Sequence, residues 1–280
     1  GITKVNMQSM IVMNGLNVVL NYLLIFGKFG FPRLEVSGAG IASMISSYVG
    51  LAVMLVHSGL PKYRQKYELY KRIIPDFNLI RRLTKLSVPV MTQTFLVFSG
   101  FLAFLKIFSM IGTVELAASN VCIAIMSFSF MPGVGVGVAA ATLVGQNLGA
   151  KRADLAEKYG WESVKLGSIL MGSFGVVFLS IPGLIMNIFT LDPLIVREGV
   201  IALRIVGLVQ FFDAFGIIFM HCLQSSGMTK FVMITEISIN WFVFLPVAYV
   251  LGIVLDMGTF GAWLGVAVYI SILGIIMTWT

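Results

Sequence analysis

The sequence predicts an all-α polytopic membrane protein with about eight transmembrane helices. Three observations carry this. Hydrophobic residues make up 58% of the 280 and charged residues only 11%, against about 25% charged in a soluble domain. The apolar residues fall in long runs, and one helical span needs about 20 of them. The runs do not alternate as the roughly ten-residue strands of a membrane barrel would. Helices are the other backbone that satisfies its own hydrogen bonds in lipid.

The first run, 7–26, carries Asn14, Asn17 and Asn21 at spacing i, i+3 and i+7, which puts them on one helix face. A polar stripe on a spanning helix is expected to face protein or water rather than lipid. The second run, 38–57, opens on Gly38-Ala39-Gly40 and ends at His57. The third, 87–110, holds Thr92, Gln93, Thr94 and Ser99, and the fourth, 119–147, opens on Ser119 and Asn120. Such groups either line a polar cavity or bond between helices at about 1 kcal/mol each. The fourth run also contains Pro132-Gly133-Val134-Gly135-Val136-Gly137. No strand precedes it and no Lys-Ser/Thr follows, so it is not a phosphate loop. It reads as a kinked helix with a glycine face for close packing. Gly149 is a candidate cap at its end. The fifth run, 162–188, is apolar throughout its middle.

The sixth run, 200–224, carries Asp213 near its centre, with Gln210 one turn before and His221 eight residues after. A carboxylate at bilayer depth costs several kcal/mol unless it is paired, protonated or hydrated. Such a residue reads as a proton carrier, a cation ligand or a counter-charge for a cationic substrate. The plainer reading is a structural partner for a polar group on a neighbouring helix. His221 reads as a hydrogen-bonded core histidine, with a proton relay to Asp213 as the alternative. The seventh run, 231–254, has Glu236 a turn or so inside its start, where an interfacial position is expected, with a gating role as the alternative. The eighth is 261–279.

Loop charge orients the spans. The net charge is +7, and residues 59–86 alone hold eight Lys and Arg against Glu68 and Asp76. A basic balance of this kind, beside membrane spans, marks a cytoplasmic side rather than a nucleic-acid surface. With Lys4 and 59–86 inside, the inside segments hold 13 basic residues and the outside loops only Lys28, Arg33 and Arg197, while Lys106, Lys165 and Arg204 sit near helix ends. Residues 77–86 are expected as an amphipathic helix on the inner surface. Cys122 and Cys222 fall within apolar runs, in no metal-ligand spacing, and read as small core residues.

An internal repeat is visible. Asn17, Gly38 and Ala39 recur as Asn240, Gly261 and Ala262, all offset by 223 residues. Repeats of this kind are common in transporters. On this reading the first two runs end one unit and the last two end a six-helix second unit. Four helices of the first unit would then be missing, and both chain ends are expected to be cut. No signal peptide is visible.

The stretch from Gly137 to Arg152, GVAAATLVGQNLGAKR, followed by Ala153 and Ala156, resembles the multidrug and toxic compound extrusion (MATE) family. So do Leu16-Asn17 to Gly27, Gly30-Phe31-Pro32, Gly38 to Ala42, and Leu223 to Lys230. The resemblance implies a two-lobe antiporter fold of twelve helices, here lacking its first four. Residues 1–58 would be the last two helices of the N-terminal lobe, 59–86 a cytoplasmic basic linker, and 87–280 the C-terminal six-helix lobe. It implies a secondary active antiporter that exports organic, often cationic, compounds or drugs in exchange for Na+ or H+ by alternating access. Asp213 matches an acidic residue often found on the family's tenth helix and is the candidate coupling-cation or proton site. Many members carry a glutamate on the seventh helix, where this chain has Val97. Gln93, Ser99, Asn120 and Gln210 are the candidate cavity residues. No cofactor and no metal beyond Na+ at Asp213 is expected. The expected partners are the lipid bilayer and a small organic substrate, with no nucleic acid and no obligate protein partner evident. The expected location is the plasma (inner) membrane. Two other transport readings remain: a lipid-linked oligosaccharide flippase of the wider superfamily, disfavoured by the few cations at depth, and an inactive remnant. A membrane enzyme would need paired aspartates or a nucleophile with a base, and only one deep aspartate is present.

Overall fold

The computed structural model describes residues 3–61 and 76–280. Among them every regular element is helical, and eight helices are long and apolar enough to cross a membrane. Half of the basic segment 59–86, residues 62–75, lies outside the described residues. The chain divides into two compact units, Gly1–Asp76 and Phe77–Thr280.

In the first unit, α1 (Thr3–Phe26) pairs with α2 (Glu35–Gly59). The buried face of α2 is Gly38, Ala42, Ser46 and Gly50, one small residue per turn. Lipid offers no hydrophobic drive between helices, so close packing of small side chains and interhelical hydrogen bonds hold such a pair. The Ser9 hydroxyl donates to the Gly50 carbonyl at 2.8 Å. Asn17 Nδ2 donates to Ser43 Oγ at 3.3 Å, and Asn21 Nδ2 to Asn17 Oδ1 at 2.9 Å. Two of the three stripe asparagines thus serve the helix pair, and Asn14 is exposed.

The second unit begins with α3 (Phe77–Ile111), 35 residues in one helix. The expected surface helix at 77–86 is continuous with the third span, and its side chains are exposed. Then come α4 (Thr113–Gly149), α5 (Ala153–Ser180) and the short α6 (Pro182–Phe189). The single fifth helix expected over 162–188 is broken at Ile181. Pro182 lacks an N–H and can only begin a new helix there. Pro132, by contrast, sits inside α4 without ending it. The unit closes with α7 (Pro193–Ser225), α8 (Thr229–Val254) and α9 (Gly258–Trp279). α8 opens into π turns at Asn240–Phe244 and Val250–Val254. Pro246 follows the first of them and removes one backbone donor from the ladder, a recognised setting for such turns.

α7 is the central helix. In its most apolar 18-residue window 67% of residues are buried, against 50% or fewer in every other span. It packs on α4, α5 and α9. Its contact with α5 is backbone to backbone: a Cβ on Gly175 would stand 2.7 Å from the Gly207 carbonyl oxygen. Beside it lies an aromatic core of Phe104 and Phe108 from α3, Phe244 from α8 and Trp263 from α9. The Phe104 ring lies 4.8 Å from Phe244, tilted by 50°, and 5.8 Å edge-on to Trp263. The buried indole N–H of Trp263 reaches Ser119 Oγ at 3.3 Å, giving the ring the polar partner it needs inside.

The 223-residue offset recurs in backbone contacts. Leu34 N donates to Leu24 O at 2.9 Å, and Gly38 lies over that carbonyl. Met257 N donates to Leu251 O at 3.2 Å, and Gly261 lies over that one. Positions 34 and 38 thus repeat as 257 and 261, with the accepting carbonyl one helical turn later in the second copy.

Candidate functional site

Asp213 and Glu236 are the two acidic or basic side chains buried among the described residues, each 8% exposed. Both lie in the second unit, on α7 and α8.

Asp213 is twelve residues before the end of α7 at Ser225, about 18 Å along the axis. Its burial follows from the small and apolar residues around it: Ala214, Gly216 and Ile217 are buried with it. Gly216 faces Gly274 of α9, and a Cβ on Gly274 would stand 2.9 Å from the Phe212 carbonyl oxygen. The two helices therefore touch along this turn. Asp213 makes no hydrogen bond or ion pair with any described residue. Gln210, one turn away, is 1% exposed. Its amide nitrogen donates to Ser129 Oγ of α4, while its Oε1 is buried without a donor. Asp213 and Gln210 thus offer unpaired acceptors at i and i+3, which share a helix face. A groove between α7 and α9, lined by Phe211, Phe212, Phe215, Ile275 and Trp279, flanks the turn without including Asp213.

Glu236 is seven residues from the start of α8, about 10 Å along the axis. Glu236 is buried, covered by α3 and α9. Gln93 of α3 donates from Nε2 to Glu236 Oε2. Tyr269 of α9 donates from its hydroxyl to Oε1 at 3.3 Å. Gln224, in the last turn of α7, donates from Nε2 to Gln93 Oε1 at 3.2 Å. Tyr269 also lies within electrostatic reach of Asp213. Four helices therefore converge on one polar cluster.

The remaining candidates stand apart. Ser99 is half-buried and bonds its own helix at Phe95 O, 2.8 Å away. Asn120 is exposed and bonds Leu116 O at 3.1 Å. The His221 ring lies against Gly137 of α4 and bonds no described residue, so neither the hydrogen-bonded histidine nor a direct relay to Asp213 is formed. Val97 is half-buried. Both cysteines are buried and free. No group of three or more His, Cys, Asp or Glu able to hold a metal ion occurs among the described residues. The signal for Glu236 was its charge within an apolar run; its partners, more than 30 residues away in sequence, gave none.

The MatE family model matches residues 89–250. A probable multidrug resistance protein NorM of Thermotoga maritima is 32% identical over 256 residues, covering 90% of this chain and 54% of the relative. A protein of the same name from Pasteurella multocida is 26% identical over 264 residues, covering 92% of this chain and 57% of its own. A solved structure, the outward-facing conformation of a multidrug resistance MATE family transporter of the MOP superfamily, matches at a TM-score of 0.85 and 17% identity. It covers 98% of this chain and 60% of that one. The chain thus spans little more than half the length of these curated relatives. Family members are transporters and not enzymes. On the family match, the relatives and the eight apolar helices together, the chain is an integral membrane protein that belongs to the MatE family.

Proposed function

We propose that the protein containing this chain is a secondary active antiporter that exports organic cations or drugs in exchange for Na+ or H+ by alternating access. The observation that carries this reading is Asp213: buried, without a hydrogen bond or ion pair among the described residues, and beside the orphaned Gln210 Oε1. A buried carboxylate left this way is expensive in a membrane and takes a cation or a proton when one is available. Secondary transporters hold their coupling ions near the bilayer midplane, and the axial distance of about 18 Å from the end of α7 is compatible with that depth. Asp213 is the coupling site in this reading, and Gln93, Ser99, Asn120 and Gln210 are the cavity candidates. Residues 1–58 belong to an N-terminal lobe, 59–86 to a cytoplasmic linker and 87–280 to a C-terminal six-helix lobe. The protein resides in the plasma (inner) membrane.

The test is ion-dependent efflux. The whole reading frame that contains these 280 residues is expressed in cells stripped of their own drug pumps. Accumulation of a fluorescent organic cation is expected to fall, and to recover when the H+ and Na+ gradients are collapsed. Accumulation that never differs from empty cells, or efflux indifferent to both gradients, would overturn the reading.

A further inference from the structure

We infer that Glu236 is a second proton-binding carboxyl, and that its charge state sets the direction of the hydrogen-bond chain Glu236–Gln93–Gln224 and so reaches the end of α7. The role in transport rests on the antiport reading, whereas proton binding at Glu236 does not.

The groups around Glu236 point to a proton rather than a metal ion. Every described group within hydrogen-bond distance of its carboxylate is a donor, the Gln93 amide N–H and the Tyr269 hydroxyl. The nearby Met220 sulfur, 3.6 Å from Gln93 Nε2, is a weak acceptor and a poor ligand for a hard cation. Gln93 Oε1 is already engaged by Gln224. Among the described residues no oxygen shell for a metal surrounds the carboxylate, and no cation pairs with it. α3 has no charged residue between Lys85 and Lys106, and α9 has none at all. On α7 the facing groups are Gln224 and, through Tyr269, Asp213; His221 points to α4. Lys230, at the start of α8, is exposed.

A glutamine amide is a donor at one end and an acceptor at the other, which makes the chain directional. With Glu236 ionised, only the amino end of Gln93 can meet it, so the Gln93 carbonyl faces Gln224 and takes a hydrogen from it. When a proton from water bonds to Oε2, the carboxyl becomes a donor there. The Gln93 N–H bond to Oε2 is lost, and the amide turns so that its carbonyl accepts the new O–H. Its amino end then faces Gln224, which must turn its own carbonyl inward. One proton gained at Glu236 therefore reverses two amides. The second sits in the last turn of α7, next to the Gly227 turn that joins α7 to α8, where Gly227 holds φ +94°. Tyr269 donates to the other carboxylate oxygen of Glu236, so it stays in place while the Gln93 amide turns.

Infrared difference spectroscopy of the purified chain in nanodiscs, titrated with pH, reads the proton directly. Labelling with 13C-glutamate separates the glutamate carboxyl band from that of Asp213. Glu236 is the only buried glutamate among the described residues, so its protonated C=O stretch falls apart from those of the hydrated ones. A 13C-sensitive, non-aqueous carboxyl band that titrates reversibly is expected in the unaltered chain. It should vanish in Glu236→Gln, persist in Asp213→Asn, and shift its midpoint in Tyr269→Phe, with amide bands of glutamine changing in step. Absence of any titrating glutamate band of this kind in the unaltered chain, or its survival in Glu236→Gln, overturns the inference. The band requires no transport: its presence in a protein that fails the efflux test would sink the antiport reading and leave the proton site standing.

Discussion

Replacing Gly175 by alanine tests whether α5 and α7 touch through their backbones. The added Cβ would stand 2.7 Å from the Gly207 carbonyl oxygen and 3.0 Å from Gln210 Cβ. Non-bonded contacts are comfortable at about 3.5–4 Å, so the helices must part by the better part of an ångström. Overpacking of this kind costs about 1–3 kcal/mol. Alanine also favours the helix by about 1 kcal/mol over glycine, which would mask part of the loss. Gly172 supplies the control, three residues earlier on the same helix. A Cβ there meets only Phe211 Cδ2, at an ordinary 3.8 Å. Gly172→Ala gains the same helix propensity without the clash, so the difference between the two variants isolates the contact. At roughly 2–4 °C per kcal/mol for a chain of comparable size, Gly175→Ala should unfold several degrees below Gly172→Ala in the same detergent. Equal unfolding temperatures would refute the backbone contact and the central placement of α7 that depends on it.

Trp263→Phe is expected to cost about 1 kcal/mol, the loss of the Ser119 hydrogen bond, and Trp263→Ala about 3–5 kcal/mol, both read by thermal unfolding; an unchanged unfolding temperature in Trp263→Phe would mean the indole N–H is idle. Asn17→Ala removes the partner of both Ser43 and Asn21 and should loosen the α1–α2 pair by roughly 1 kcal/mol, seen as faster proteolysis of the first unit; an unchanged rate would count against the asparagine tie. For topology, single cysteines at Gln65 and Asp192 are exposed to an impermeant thiol reagent on intact cells. Labelling at Asp192 and not at Gln65 is expected from the charge bias of the loops, and the reverse pattern would contradict that orientation.

The eight spans were legible because run length is a direct consequence of bilayer thickness. Their interruptions were less so. Pro182 breaks the fifth span while Pro132 and Pro89 sit within helices, and local sequence does not say which proline a neighbouring helix will accommodate. The π turns of α8 left no mark in the apolar pattern. The burial of Asp213 was legible, since it is a lone carboxylate at the centre of a span. That of Glu236 was not. Its environment is made by Gln93 and Tyr269, which lie 143 and 33 residues away. Ser99 and Asn120 carried the same sequence signal as Gln93, yet both turn back to carbonyls of their own helix, the local alternative open to such side chains.

Gradient-driven exchange in proteoliposomes tests the coupling role of Asp213 most directly. The whole protein is reconstituted, an H+ or Na+ gradient is imposed, and accumulation of an organic cation is followed for the unaltered protein, Asp213→Asn and Asp213→Glu. Asp213→Asn keeps the shape and removes the charge, so accumulation is expected to fall at least about tenfold, equivalent to about 1.4 kcal/mol, while Asp213→Glu keeps part of it. Undiminished gradient-driven accumulation by Asp213→Asn would contradict the account and leave Asp213 a structural residue of α7.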